Sequence, residues 1–287
     1  MMKKSLLQKH NELKGERSNM LRSFVENEQS GIIDSIFQHS FNIQFQNLYF
    51  HIGNYSGGLS VLGITVNSTE LNEILDNISL DDLVIYKNNV LKIYSSNKIF
   101  QIDLLDLEEV NLNIPKVNLS LSECVVVRDS FKELKIRSKI GLDDISLNYI
   151  IPRFNRIDDL NNSDLRQLIG YMLGRGKGLT PSGDDMLVGF SSVLISSGNE
   201  LTSRWLGVLN SFSKFGTTKV STAYLEAVKN GYISKDIKKL MLNMKNDKSE
   251  VIHGMQDVLQ MGHTSGADTL FGMNLAINEI IGGSNNG

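Results

Sequence analysis

The sequence predicts an α+β protein in which a β-rich first part, folded as a sheet or barrel, precedes a mainly α-helical second part. Two observations predict this class. Short β-like runs separated by turn residues fill the chain to about residue 155, and apolar residues at helical spacing fill most of the remainder. The predicted domains are therefore residues 1–155, which open with a lead-in helix over about residues 1–30, and residues 156–287, which carry a glycine-rich loop.

The β-rich part is predicted from alternating or β-branched runs bounded by turn signals. The pair Asn88-Asn89 separates two apolar runs, which is typical of a β-hairpin with a tight turn. The predicted strands lie within residues 42–52, 59–66, 83–86, 90–94, 99–105 and 124–127. Such spacing predicts a small antiparallel sheet or barrel.

The helical part is predicted from periodicity. Apolar residues recur at i, i+3, i+4, i+7 and i+8 from Leu165 to Leu173, and Gly174 is a suitable stop. Residues 186–195 are apolar almost all round, which predicts a buried helix. Further helices are predicted at 201–215, 220–229, 234–243, 250–261 and 267–281.

Composition limits the classes of function. A formal net charge of -3 gives no excess of positive charge for a phosphate backbone, so we expect no nucleic-acid partner. We expect no membrane partner either, because no apolar run reaches the ~20 residues needed to span a bilayer. The N-terminus lacks a signal peptide, and the single cysteine excludes an internal disulfide, so a cytoplasmic location is expected. We interpret Cys124 as a buried strand residue, with a nucleophile as the alternative.

The most informative segment is Gly174-Arg175-Gly176-Lys177-Gly178-Leu179-Thr180-Pro181-Ser182-Gly183-Asp184-Asp185. Thr180 before Pro181 predicts a helix start, with Thr180 as the cap and Pro181 in the first turn. The free amides and positive dipole end of that helix would favour an anion by about 0.3–1 kcal/mol. Arg175 and Lys177 would add positive charge on the same loop. The spacing fits neither the Walker loop nor the dinucleotide fingerprint.

Two acidic residues open the predicted helix. Asp184 and Asp185 could simply complement the helix dipole. Because adjacent helical residues point about 100° apart, at most one is expected to face the loop. That residue could act as a general base, a Mg²⁺ ligand or a partner for Lys177.

A second segment, residues 262–272, resembles residues 179–189. Both contain Thr, then Ser-Gly, then Asp, and in both a glycine lies four residues beyond an aspartate. We therefore predict that the two helix starts converge on one ligand; the alternative is two independent caps. His263 could be an acid–base group or a structural histidine. A third cluster, residues 216–221, places a glycine, hydroxyls and a cation before another helix.

These observations define the candidate site, whose ligand is predicted to be a small anion. The candidate catalytic residues are Lys177, Asp184, Asp185 and His263. The candidate binding residues are Arg175, Gly176, Gly178, Thr180, Ser182, Gly183, Thr218, Ser221, Thr264, Ser265, Gly266 and Asp268. No cofactor is predicted, although Mg²⁺ would suit the aspartates.

The run from Gly176 to Asp185, followed by Gly189, resembles the signature of the AllH family. The order of the remaining parts is similar: a β-rich first half, hydroxyls around Thr218 and Ser221, and the Thr-Ser-Gly-x-Asp element that begins at Thr264. The resemblance implies a subunit of the oxamate carbamoyltransferase of anaerobic allantoin degradation, a branch of purine catabolism. The implied reaction converts oxalurate and phosphate into oxamate and carbamoyl phosphate, and the implied partners are AllF-like and AllG-like proteins.

Two alternatives stay open at this point. One is a non-catalytic subunit that binds an anion and regulates a multi-protein enzyme, and the other is a kinase-like enzyme that transfers phosphate. The motifs Ser-x-Arg-Thr and His-Pro-x-Gln of the aspartate and ornithine carbamoyltransferases are absent from the sequence. A carbamoyltransferase activity would therefore be built on a different scaffold.

Overall fold

The computed structural model describes residues 15–23, 28–46, 48–54, 58–212 and 215–283. These residues form two compact units: a sheet unit that ends at Asn111, and a helical unit that contains residues 60–62 and continues from Leu112. The α+β class is confirmed. The units divide at 111/112 and not near residue 155, because most of the intervening segment is helical and belongs to the second unit.

In the described part of the sheet unit there is one nine-stranded sheet and a short α-helix. The strands are β1 Gly15–Ser18, β2 Gln29–Phe37, β3 Ser40–Phe45, β4 Tyr49–Asn54, β5 Gly63–Val66, β6 Leu83–Lys87, β7 Val90–Tyr94, β8 Ile99–Asp103 and β9 Glu108–Val110. Their order is β8-β7-β6-β2-β3-β4-β5-β1-β9. All neighbours are antiparallel except β4 with β5 and β1 with β9. Helix α1, Ser68–Leu75, is capped by the side chain of Asn67.

Two features of this sheet follow directly from the sequence. The predicted hairpin is confirmed, because β6 and β7 are antiparallel neighbours joined at Asn88 and Asn89. Both asparagines have positive φ, 53° and 66°, as a two-residue turn of type I′ requires. The core is built from alternate apolar side chains, such as Ile43 of β3, which lies opposite Phe50 of β4.

The predicted lead-in helix is wrong where the structure describes it. Residues 15–18 form strand β1, and Asn19–Ser23 form a single 3₁₀ turn. Strand β1 pairs with β5 and β9, so its backbone groups are used in the sheet. Residues 1–14 and 24–27 lie outside the described residues.

The helical unit contains nine α-helices in the described chain. They are α2 Leu121–Glu133, α3 Asp144–Phe154, α4 Asn162–Met172, α5 Ser182–Ser197, α6 Leu201–Asn210, α7 Lys219–Lys229, α8 Lys235–Asn243, α9 Lys248–Leu259 and α10 Ser265–Gly283. The periodic segments from Leu165 onward are thus confirmed as helices, with ends that shift by a few residues. Gly174, at φ 70°, follows the end of α4 as predicted.

The predicted strand at residues 124–127 is wrong, because these residues lie inside α2. The cause is a capping box: the Ser120 side chain accepts from the amide of Glu123, and the Glu123 side chain accepts from the amide of Ser120. Cys124 is buried in this helix, and burial raises the pKa of its thiol. A buried thiol of raised pKa is poorly suited to act as a nucleophile.

Helices α5 and α10 form the centre of the helical unit. Each carries a glycine where the other helix passes: a Cβ on Gly189 would lie 2.0 Å from the carbonyl oxygen of Thr269, and one on Gly272 would lie 2.0 Å from that of Met186. Backbone therefore packs directly against backbone at this crossing. No described helix is long and apolar enough to cross a membrane.

Candidate functional site

The glycine-rich loop connects α4 to α5 and turns through three glycines. Gly174, Gly176 and Gly178 have φ values of 70°, 122° and 89°, a region that residues with a Cβ rarely adopt. Residues 176–179 are exposed, whereas residues 181–190 are buried. The loop therefore projects into solvent while the helix that it precedes is fixed in the core.

The start of α5 differs from the helix start predicted for an anion site. Pro181 is itself the N-cap, and Thr180 does not cap the helix. The amide of Gly183 donates to the carbonyl of Arg175 at 2.8 Å, and the amides of Asp184 and Asp185 donate to the carbonyl of Pro181. The prediction that these amides are free for a ligand is therefore wrong for these three residues. The amide of Ser182 and those of the exposed loop take no part in these bonds.

Asp184 holds the loop in place. Its Oδ1 accepts from the amide of Gly174 at 2.9 Å, and its Oδ2 accepts from the hydroxyl of Thr217. Burial raises the pKa of this carboxyl, and the donors from Thr217 and Gly174 oppose that rise. With both oxygens occupied, Asp184 joins the first and third of the predicted segments.

Asp185 and Asp268 are buried close together and are less completely satisfied. Asp268 Oδ1 accepts from the amide of Gly141 at 2.9 Å. The Oδ2 atoms of both aspartates are buried and have no hydrogen-bond partner among the described residues. Burial raises the pKa of Asp185 well above its ordinary value; the hydroxyl of Ser265 opposes the rise, and the charge of Asp268 adds to it. Burial also raises the pKa of Asp268.

Hydroxyl groups bring the three predicted segments into contact. The Oγ atoms of Thr180 and Ser265 are 2.7 Å apart, which joins the start of α5 to the start of α10. Thr218 caps α7 through the amide of Ser221 and donates its hydroxyl to the carbonyl of Leu179. The Ser221 hydroxyl is buried with no hydrogen-bond partner in the described chain. The two helix starts thus contact each other in the fold, and their convergence on one ligand stays a prediction.

Gly141 belongs to the same cluster, although no sequence motif singles it out. A Cβ at this position would lie 2.4 Å from Ser182 Oγ, 3.1 Å from Thr264 Oγ1 and 3.5 Å from Asp268 Oδ2. Gly141 is also exposed. A residue without a side chain therefore separates solvent from the polar groups of the two helix starts.

Arg175, Lys177 and His263 are the remaining charged or titratable residues of the predicted site. Arg175 donates from Nε to the carbonyl of Tyr171 at 2.8 Å, and its guanidinium lies 3.7 Å from the centre of the Tyr171 ring. Lys177 is exposed at the tip of the loop. His263 is exposed and lines a separate open cavity of about 580 Å³ with Lys139 and Gln260.

The remaining predicted glycine of the second segment, Gly266, packs tightly against the carbonyl of Val258 and serves close packing at the start of α10.

The described residues contain no group of three or more histidine, cysteine or acidic side chains arranged to hold a metal ion.

Comparison with known proteins agrees with the resemblance in the sequence. Residues 172–277 match the family model AllH, described as oxamate carbamoyltransferase subunit AllH. The matched stretch begins at the end of α4 and ends within α10, so it contains the glycine-rich loop, the third cluster and both helix starts. The resemblance is therefore confirmed over this part of the chain. No solved structure matches the chain.

Proposed function

We propose that this protein is a subunit of an oxamate carbamoyltransferase and takes part in the conversion of oxalurate and phosphate into oxamate and carbamoyl phosphate. One observation carries the proposal. Within the stretch that matches the AllH model, three polar loops meet around buried aspartates beneath an exposed glycine-rich loop. The residues that match the family model therefore include the polar loops and the buried aspartates.

The reaction needs two kinds of group. A phosphate oxygen attacks the carbonyl carbon of the ureido group, the bond from this carbon to the inner nitrogen breaks, and that nitrogen leaves as the amide of oxamate. Hydrogen-bond donors must hold the phosphate and the developing oxyanion. A proton must reach the leaving nitrogen, and the phosphate monoanion or dianion supplies an equivalent proton in exchange.

The donors are assigned to the exposed loop. Gly176 and Gly178 are exposed, and neither carries a side chain that would block an anion approaching its amide. Lys177 lies between them and supplies a point charge, while the guanidinium of Arg175 keeps donors beyond its contact with Tyr171. We place the phosphate here and not on the first turn of α5, where the amides of Gly183, Asp184 and Asp185 are already used.

The proton is assigned to Asp185. Its burial and the neighbouring charge of Asp268 raise its pKa, so this carboxyl can hold a proton at a pH where an exposed aspartate has lost it. Donation to the leaving nitrogen would be followed by return of the proton from phosphate, which leaves the carboxyl unchanged after each turnover.

The proposal is tested with the purified chain, alone and together with AllF-like and AllG-like proteins. Phosphate-dependent release of carbamoyl phosphate from oxalurate is the readout, with arsenate-free buffer lacking phosphate as the blank. Activity of the chain alone would make it the catalytic subunit, and activity only in the mixture would make it an essential part of the complex. A mixture that turns over oxalurate equally well without this chain would contradict the proposal.

A further inference from the structure

The starts of α5 and α10 are related by an internal repeat that extends to their contacts. One constant offset along the chain relates the equivalent residues, which are Ser182 and Ser265, Gly183 and Gly266, Asp185 and Asp268, and Gly189 and Gly272. Each repeat therefore supplies one serine, one aspartate and two glycines to the centre of the helical unit.

The packing follows the same relation. A Cβ on Gly183 would lie 2.1 Å from the carbonyl oxygen of Met172, the last residue of α4, and one on Gly266 would lie 2.0 Å from that of Val258 near the end of α9. Gly189 and Gly272 show the same relation, because each lies against the backbone of the other helix. The two helix starts are thus approximately related by a two-fold axis that passes between α5 and α10.

The serine of each repeat lies beside the aspartate of the other repeat, across this axis. Ser265 of the second repeat lies beside Asp185 of the first, and Ser182 of the first lies beside Asp268 of the second. Each aspartate keeps one buried oxygen, Oδ2, that no described group satisfies. An unsatisfied buried acceptor is costly to keep, and two related ones indicate that a ligand supplies the missing donors.

We propose that Asp185 and Asp268 recognise a ureido group, each accepting an N–H from one of its two nitrogens through Oδ2. The proton assigned to Asp185 stays on its other oxygen until the bond to the leaving nitrogen breaks. This inference rests on the proposed function and names the part of the substrate that these residues bind. A ureido group carries N–H donors on both sides of one carbonyl, so its own approximate symmetry matches that of the two acceptors. It is also neutral, whereas a phosphate or carboxylate would be repelled by the ionised carboxyl of Asp268.

Gly141 covers this position on the solvent side. It is exposed, and it lies so close to the polar groups beneath it that a Cβ would be 2.4 Å from Ser182 Oγ, 3.1 Å from Thr264 Oγ1 and 3.5 Å from Asp268 Oδ2. The ureido end of a substrate therefore reaches the two aspartates by displacing the segment around Gly141, while its charged end stays with the donors of the glycine-rich loop.

The test measures binding without turnover, by calorimetry on the full chain and on its complex in phosphate-free buffer. N-carbamoylglycine and oxalurate contain the ureido group, and N-acetylglycine replaces its terminal NH₂ with a methyl group. Wild type is expected to bind N-carbamoylglycine at least about tenfold more tightly than N-acetylglycine. Asp185→Asn and Asp268→Asn are each expected to weaken oxalurate binding about tenfold or more, while Asp144→Asn, at an exposed position of α3, leaves it unchanged.

Unliganded stability separates a ligand role from a structural one. Each amide variant removes a buried carboxyl whose Oδ2 is unsatisfied, so its melting temperature is expected to equal or exceed that of wild type by a few degrees. Unchanged oxalurate binding, equal binding of the two glycine derivatives, or a lowered melting temperature in both variants would overturn the inference. If the variants bind normally but the complex still forms carbamoyl phosphate, the proposed function stands and this inference fails. If oxalurate binds as expected but the complex forms no carbamoyl phosphate, this inference stands and the proposed function fails.

Discussion

At the scale of single residues, the site depends on positions where a side chain is absent. Gly141→Ala would place a methyl group 2.4 Å from Ser182 Oγ, so the hydroxyl must move and the polar groups beside Asp268 are disturbed. We expect carbamoyl phosphate formation by the complex to fall about tenfold or more, with a loss of about 1–3 kcal/mol in the free energy of unfolding. Steady-state assays and urea titrations measure the two effects.

Gly207→Ala is the matched control for this variant. Gly207 lies in α6, is exposed, and a Cβ there would have no neighbour within 4 Å. Alanine at this position should stabilise the protein by about 0.5–1 kcal/mol and leave activity unchanged. Full activity of Gly141→Ala would contradict the entry route through Gly141.

The exposed lysine of the loop makes a second residue-scale prediction. Lys177→Met removes the point charge assigned to phosphate and leaves the backbone of the loop intact. We expect the KM for phosphate to rise about tenfold and the KM for oxalurate to change much less, as measured by varying each substrate separately. Lys245→Met, another exposed position of the helical unit, is the control. An unchanged KM for phosphate would place the anion elsewhere.

Some residues of the candidate site could be predicted from the sequence and others could not. The loop could be predicted, because its glycines, cations and aspartates are consecutive. Gly141 could not, because its contacts with Ser182 and Asp268 arise only when the segment before α3 packs on α5 and α10. The use of the Gly183 amide could not be predicted either, because it depends on the return of the chain that brings the carbonyl of Arg175 to this amide.

At the scale of elements, the crossing of α5 and α10 controls stability. Gly189→Ala and Gly272→Ala would each bring a methyl group to 2.0 Å from a backbone carbonyl oxygen, which no rotamer change can relieve. Each is expected to lower the free energy of unfolding by about 1–3 kcal/mol or more, measured by urea titration against Gly207→Ala. Because both force the same two helices apart, the double variant should lose less than the sum of the two. Wild-type stability in either single variant would contradict this packing.

Two helices begin at short capping signals that other residues obscure. The β-branched Val125, Val126 and Val127 favour a strand within α2, yet Ser120 and Glu123 form a capping box just before them. Helix α3 contains Pro152 and is capped by Asp143, so the proline obscured a helix whose start was marked. In both cases a capping side chain marks the helix start, although the residues inside the helix favour another structure.

At the scale of the whole molecule, the α+β fold class could be predicted from the change in residue pattern along the chain, but the strand order could not. The order places β1 between β5 and β9 and pairs β2 with β6 as well as with the adjacent β3. Three of these pairings join segments far apart in the sequence. Periodicity indicates which face of a strand is buried, and it contains no information on which strand lies beside it. The division of the two units depends on the same long-range contacts.

The stability of the whole molecule should depend on pH through Glu279 of α10. Burial and the neighbouring carboxyl of Asp158 raise the pKa of Glu279 from 4.5 to about 7, while Arg204 opposes the rise. Between these values the folded state binds more protons than the unfolded state, so the free energy of unfolding falls as the pH rises and levels off above about 7.

Glu279→Gln isolates this contribution, because glutamine cannot ionise. The variant should gain stability relative to wild type as the pH increases through the same window, reaching about 1–2 kcal/mol at pH ~8 once partial exposure is allowed for. Urea titrations of both proteins between pH ~4 and ~8 give the difference curve, from which Asp185 and the other buried carboxyls cancel. A difference that is constant across this range would contradict the assignment, because a group that titrates alike in both states adds no pH dependence to folding.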